Sequence, residues 1–262
     1  MKHFLIFSLI ILTFFSCSKY QKILKSDNLE FQYSQAVQFY NNEDYTRSVQ
    51  LLEKLLTSFN DRDKKEEVYY YYSYSVFNIK DYTSAAYHFK NFNLKFPYSK
   101  KNEEIAFMSA YCYYMQSPRY NLDQQKTYEA IDQLQLFISN YQNSDRVSRA
   151  NELIFDLNIK LEKKDFEIVK SYYETSKYRS AIYAIDDFLV RYPETVFLED
   201  VGFIQLQAYY ELGKNSVEEK KEQRVKEAIF ACDNFLLAFP SGNYKKETES
   251  IYKKLKEIQN GL

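Results

Sequence analysis

Tryptophan is absent from this chain, and glycine and proline occur only four times each in 262 residues. Folds built from many short strands lean on those turn formers at every reversal, so their scarcity, with long Leu/Lys/Glu/Tyr runs, favours an all-α chain. Histidine is limited to His3 and His88, too few for a histidine metal cluster, and a lone His88 within a helical segment reads as structural. Gly202, Gly213, Gly242 and Gly261 stand singly, which rules out a glycine-rich phosphate loop. An excess of one charge is missing too: 35 Lys and Arg oppose 36 Asp and Glu, a net charge of −1. Without a basic excess, nucleic acid is not an expected partner. Adjacent carboxylates such as Glu66/Glu67 and Glu218/Glu219 lie in Lys/Glu-rich stretches that read as solvated helix faces. We therefore expect no catalytic residue, no metal, no cofactor and no enzyme activity.

What the chain has in abundance is aromatic residues, 27 Tyr and 21 Phe. It opens MKHFLIFSLIILTFFSCS, with Lys2 before an apolar run from Phe4 to Phe15 and the small Ser16 before Cys17. The run is too short to span a bilayer and has the length of a signal-peptide core. The pattern resembles a bacterial lipoprotein signal, although Phe14 stands where leucine is usual three places before the cysteine. The resemblance implies a signal peptide over 1–16, cleavage before Cys17, and triacylation of Cys17 as a lasting anchor. Ser18 and the non-acidic residues after it imply the periplasmic face of the outer membrane as the address. Residues 17–28 then serve as a lipidated tether.

Five segments align without gaps: YTRSVQLLEKLLTSF from Tyr45, YTSAAYHFKNFNLKF from Tyr82, TYEAIDQLQLFISNY from Thr127, YRSAIYAIDDFLVRY from Tyr178 and VKEAIFACDNFLLAF from Val225. Their fourth column is small (Ser48, Ala85, Ala130, Ala181, Ala228). The eighth holds Leu52, Phe89, Leu134, Ile185 and Cys232, and the eleventh Leu55, Phe92, Phe137, Phe188 and Phe235. The fifteenth is always aromatic, and Pro97, Pro193 and Pro240 close three segments. Steps of four and three make one helix face, and the small residue admits a close neighbour. An aromatic-rich helix precedes each segment, ending in three cases in a turn: NNEDY, NIKDY or ETSKY. The pattern resembles the tetratricopeptide repeat and implies an all-α tetratricopeptide-repeat superhelix of about five helix-turn-helix units. Starts spaced 37, 45, 51 and 47 residues apart require longer helices or loops in the later repeats. Cys112 and Cys232 fall in different repeats, beyond disulfide reach, and are expected free and buried.

The run EEVYYYYSYSVFNIKDY packs four consecutive tyrosines into one helix, and they sweep most of its circumference. In the repeat register Tyr69, Tyr72 and Val76 pack between helices, Tyr71 takes the outer edge, and Tyr70, Tyr74 and Phe77 line the groove of this family. Tyr33, Val37 and Tyr40 match them in repeat one; Phe107, Tyr111 and Tyr114 do so in repeat three. Tyrosine offers a flat ring with a polar tip, suited to capturing peptide. We expect Tyr33, Tyr40, Tyr70, Tyr74, Phe77 and Tyr111 to supply exposed ring contacts, with Asn41 and Asn78 pairing to the peptide backbone.

A lipoprotein signal followed by five such repeats resembles the BamD family of outer-membrane assembly lipoproteins. The likeness is sharpest over NLDQQKTYEAIDQLQLFISNYQNSDRVSRANELI (121–154) and LEKKDFEIVKSYYETSKYRSAIYAIDDFLVRYPET (161–195). It implies that repeats one and two (29–99) form a substrate groove for the C-terminal strand of unfolded outer membrane proteins. Repeat three occupies 100–160, and repeats four and five (161–262) dock on the POTRA domains of a BamA-like barrel protein. The competing expectation is a tetratricopeptide envelope scaffold that coordinates peptidoglycan synthesis or other membrane complexes.

Overall fold

The computed structural model describes residues 19–262, so the signal peptide and Cys17 lie outside the described residues. Within them every regular element is helical. A short helical stretch over 19–24 precedes α1 (Leu29–Asn41), α2 (Tyr45–Leu55), α3 (Arg62–Asn78), α4 (Tyr82–Lys95), α5 (Asn102–Gln116) and α6 (Gln125–Asn140). They are followed by α7 (Val147–Glu174), α8 (Tyr178–Arg191), α9 (Leu198–Lys214), α10 (Glu218–Ala238) and α11 (Lys245–Asn260). Five helix-turn-helix repeats result, α1–α2 through α9–α10, with α11 against the last. The 28-residue α7, the 21-residue α10 and the loop between α5 and α6 account for the long spacing of the later repeats. The described residues form two compact bodies: one holds those up to Pro118 with Asp123–Leu157, the other Arg119–Leu122 with Asn158–Leu262.

The alignment columns are the core. Ser48, Ala85, Ala130, Ala181 and Ala228 are fully buried, as are Leu52, Phe89, Leu134, Ile185 and Cys232. The eleventh-column residues are buried as well. In the first helices the small residues Ala36, Ser73, Ala110 and Ala208 are buried in turn. A small side chain at each crossing lets two backbones approach, and the large residues one turn on fill the flanking space.

Two turn designs recur. Within repeats one, two and four, the third residue of NNEDY, NIKDY and ETSKY takes the left-handed conformation: Glu43 (φ 62°), Lys80 (66°) and Ser176 (58°). That reversal ends one helix, and in the first two the next residue, Asp44 or Asp81, caps the following helix through its side chain. Between repeats, Phe96, Tyr141, Tyr192 and Phe239 end α4, α6, α8 and α10 with φ from −125° to −130° and ψ from 54° to 69°. Three residues on, a hydroxyl fixes the turn. Ser99 donates to Glu66 at 2.8 Å, Ser144 to Glu103 at 2.6 Å, and Thr195 to Glu162, in each case a glutamate on the first helix of the same repeat. Each hydroxyl oxygen also accepts the amide two residues later. In repeat five Gly242 takes this place: a Cβ there would lie 2.3 Å from Glu199 Oε1, which accepts the Tyr244 amide directly.

Over its described part, the stretch read as a tether is folded. Residues 19–24 are helical, and Tyr20, Ile23 and Leu24 pack on the core of repeat one. Cys112 and Cys232 are free and buried, and burial pushes both thiols up to about 12.

Candidate functional site

The first helices of repeats one to three carry the residues singled out in the sequence. Tyr33 and Tyr40 sit on α1, Tyr70, Tyr74 and Phe77 on α3, and Tyr111 on α5. Their rings join into one ladder. Tyr71 contacts Tyr33 (centroids 6.4 Å apart), Tyr40 (5.2 Å) and Tyr70 (5.6 Å), and Tyr70 contacts Tyr74 at 4.7 Å. Phe89 lies 5.1 Å from Tyr74 and 6.4 Å from Phe77, and Phe77 reaches Tyr111 at 6.0 Å. Tyr111 continues to Phe107 and Tyr114, both stacked on it.

Tyr71 corrects the register reading. Assigned to an outer edge, it instead joins the rings of α1 to those of α3. The spacing Glu67, Tyr71, Tyr74, Asn78 is itself a helical stripe, and that signal places Tyr71 beside Tyr74. Tyr69 and Tyr72 are buried as expected. They enclose His88, whose Nδ1 lies 3.3 Å from the Tyr69 hydroxyl and whose pKa burial lowers.

A second correction concerns exposure. Tyr70 and Tyr74 were expected to stand free; they are half-buried, and both hydroxyls donate to Glu104 Oε1, from Tyr70 at 2.9 Å. Tyr33 donates to Glu67 at 3.1 Å. Each bond runs from one first helix to the first turns of the next, so the ring ladder also pins neighbouring repeats. Cations complete the pattern, with Lys64 4.5 Å from the Tyr33 ring centre and Lys101 5.4 Å from that of Tyr70. Burial first, then the carboxylate partner, holds the phenols of Tyr33, Tyr70 and Tyr74 well above the ordinary range. They remain neutral donors at physiological pH. Asn41 is exposed at the end of α1, and Asn78 donates to the Tyr74 carbonyl at 2.9 Å. Glu66 and Glu67, read from the sequence as a solvated helix face, are instead partnered, Glu66 by Ser99 and Lys101 and Glu67 by Tyr33. Glu104 was not singled out, because a glutamate in the first turn of a helix is too common to carry a signal.

The second body carries open apolar residues of its own, at columns that are also open in repeat two, where Tyr87 is 64% and Leu94 72% exposed. On α8 and α10 the sixth and thirteenth columns are apolar and open: Tyr183 is 74% exposed, Val190 83%, Phe230 66% and Leu237 83%. Two cavities lie beside them. One of about 330 Å³ is lined by Leu206, Tyr209, Phe230 and Phe235. The other, about 640 Å³, is lined by Tyr183, Asp186, Tyr209, Lys220 and Arg224.

Among the described residues no group of three or more His, Cys, Asp or Glu is placed to hold a metal ion. Nor is any helix among them long and apolar enough to cross a membrane. Paired helices with a small residue at each crossing, an aromatic stop and a clamped turn define a tetratricopeptide-type scaffold. A family model described as YfiO, outer membrane lipoprotein, matches residues 26–224 and 160–262. The chain belongs to this family, the YfiO or BamD family of outer membrane lipoproteins.

Solved structures similar to it are tetratricopeptide proteins. The tetratricopeptide domain of P58(IPK) matches at 14% identity and a TM-score of 0.41, over 91% of this chain. This chain spans only 58% of that protein's length. The TPR2AB domain of yeast Sti1, solved as a pHSP90 complex, matches at 11% identity and a TM-score of 0.40, covering 87% of this chain and 98% of that one. A tetratricopeptide protein from Bacteroides fragilis matches at 13% identity and a TM-score of 0.37, covering 89% and 100%. No curated protein matches the sequence.

Proposed function

We propose that the chain is a lipid-anchored scaffold on the periplasmic face of the outer membrane, working in β-barrel protein assembly. It holds the C-terminal strand of an unfolded barrel protein on the ring ladder of repeats one to three. Through repeats four and five it docks on the POTRA domains of a BamA-like barrel protein. It performs no catalysis; its work is to bring substrate and inserting machinery together.

The observation that carries this reading is the series of ring contacts across α1, α3 and α5, with neighbouring centroids 4.7–6.4 Å apart, in which the buried Phe89 of α4 backs Tyr74 and Phe77 from the core. An extended strand projects same-face side chains about 6.6 Å apart, close to that interval, so alternate residues can meet successive rings. Tyrosine ring faces give apolar contact at low entropic cost, and the exposed Asn41 amide offers a donor and an acceptor for the peptide backbone. The open apolar pairs on α8 and α10 support partner docking in the second body, since surfaces seldom leave such residues clustered and uncovered.

Purification of the tagged protein from detergent-solubilised outer membranes tests the reading. A barrel protein with POTRA domains should copurify in stoichiometric amounts. Recovery of peptidoglycan synthases without any barrel protein would replace the proposal with an envelope scaffold of another kind.

A further inference from the structure

The segment that follows the anchor position is clamped to repeat one. Tyr20 meets Phe39 edge to face at 5.7 Å, donates its hydroxyl to Gln50 Oε1 at 2.7 Å, and lies with its ring centre 5.5 Å from the Arg47 guanidinium. Gln32 is fully buried, and its Nε2 donates to the carbonyls of both Ile23 and Leu24 at 3.0 Å. Lys54 Nζ adds a third bond, also to the Leu24 carbonyl at 3.0 Å. These carbonyls end the short helical stretch; that of Ile23 also accepts the Ser26 amide at 3.2 Å, and the buried amide and the ammonium supply the further donors. Ile23 and Leu24 pack beneath them.

Tyr20 follows Cys17 by three residue steps, a reach of about 10 Å at full extension. Lys19, Lys22 and Lys25 recur every third residue across this stretch and are all exposed. From Lys19 to Lys25 the sequence KYQKILK carries three positive charges and no negative one, in a chain whose net charge is −1.

We propose that residues 19–25 form a seat that holds repeat one directly against the anionic phospholipid headgroups of the anchoring leaflet, with Lys19, Lys22 and Lys25 on the phosphates. The inference rests on Cys17 being the acylated residue. An anchor with so short a leash keeps the docked helix at headgroup depth, where an array of lysines is attracted by anionic lipid. Repeat one, and the start of the ring ladder with it, is then presented at the membrane surface and does not swing on a flexible linker.

The test is amine-reactive footprinting of the full mature protein, read by mass spectrometry. It compares the protein in detergent, in vesicles of phosphatidylethanolamine with phosphatidylglycerol, and in vesicles of phosphatidylcholine alone. Labelling of Lys19, Lys22 and Lys25 should fall several-fold in the phosphatidylglycerol vesicles relative to Lys100 and Lys220, which are exposed elsewhere. High salt should return part of it. Equal labelling of the three lysines in detergent and in phosphatidylglycerol vesicles would overturn the proposal.

The mass of the N-terminal peptide reports acylation of Cys17 independently, and an unmodified cysteine there sinks the anchoring reading. In that event the mature chain, coupled through Cys17 to a maleimide lipid, gives the same footprint test. Cys112 and Cys232 are buried and do not compete for that coupling.

Discussion

At the scale of single residues, the tyrosines of α3 divide between core and surface within one turn, and the hydroxyl decides how each behaves. Tyr70 and Tyr74 present ring faces while their hydroxyls tie α3 to Glu104 on α5. Truncation therefore mixes two effects that a milder change separates. Replacing both by phenylalanine keeps the rings and removes the bonds, and should lower stability by about 1 kcal/mol per bond. Affinity for a barrel-protein C-terminal peptide should stay within a few-fold of the wild type. Replacing both by alanine should cost about 1–3 kcal/mol of stability and weaken binding by roughly tenfold to a thousandfold. Fluorescence anisotropy beside thermal melts reads both quantities; unchanged affinity in the double alanine variant would remove the ladder from the binding surface. Cys112 and Cys232 give a second residue-level expectation. Their thiols are pushed up to about 12 by burial, so a native protein should react with a thiol reagent only as fast as it opens. Rapid modification of both without denaturant would show that these helices do not pack as described.

At the scale of elements, the crossings and the turns carry separate energetic roles. Ala181 is fully buried where α8 meets its neighbours, so Ala181→Phe should overpack the crossing and cost about 1–3 kcal/mol. Lys170→Phe, at a half-exposed position on α7, should be nearly neutral, and equal losses in thermal melts would refute the register. Lys80 stands at φ 66°, a conformation that costs an L-residue about 1 kcal/mol, which glycine avoids. Lys80→Gly should accordingly raise the melting temperature, while glycine at Lys90, inside α4, should lower it. This scale is also where the sequence was most and least legible. The small and large columns were readable because burial on one helix face repeats at steps of three and four. The glutamate clamps were not, since Glu66 and Ser99, or Glu103 and Ser144, lie 33 and 41 residues apart and a lone hydroxyl has no period. Tyr71 was misplaced for a related reason. A face assigned from the Cα register ignores that a ring long enough to lean over its neighbour can meet Tyr33 and Tyr40 on another helix.

At the scale of the whole molecule, substrate capture and partner docking are proposed for different bodies, and this division makes them separable by mutation. The ring ladder lies within the body that holds α1 to α6, and the open apolar pairs Tyr183/Val190 and Phe230/Leu237 lie within the other. Tyr183 and Phe230 are mostly exposed, so replacing both by serine removes apolar surface without opening the core, and the melting temperature should hardly move. If these rings anchor the partner, the loss should be large, because exposed aromatics at the centre of an interface typically contribute about 2 kcal/mol or more each. The double serine variant should then fail to copurify a barrel protein with POTRA domains while binding barrel-protein peptides as the wild type does. The double alanine variant of Tyr70 and Tyr74 should show the converse, poor peptide binding with the partner retained. Loss of both activities in either variant would mean that one surface serves both tasks, and the division of labour between the two bodies would fall.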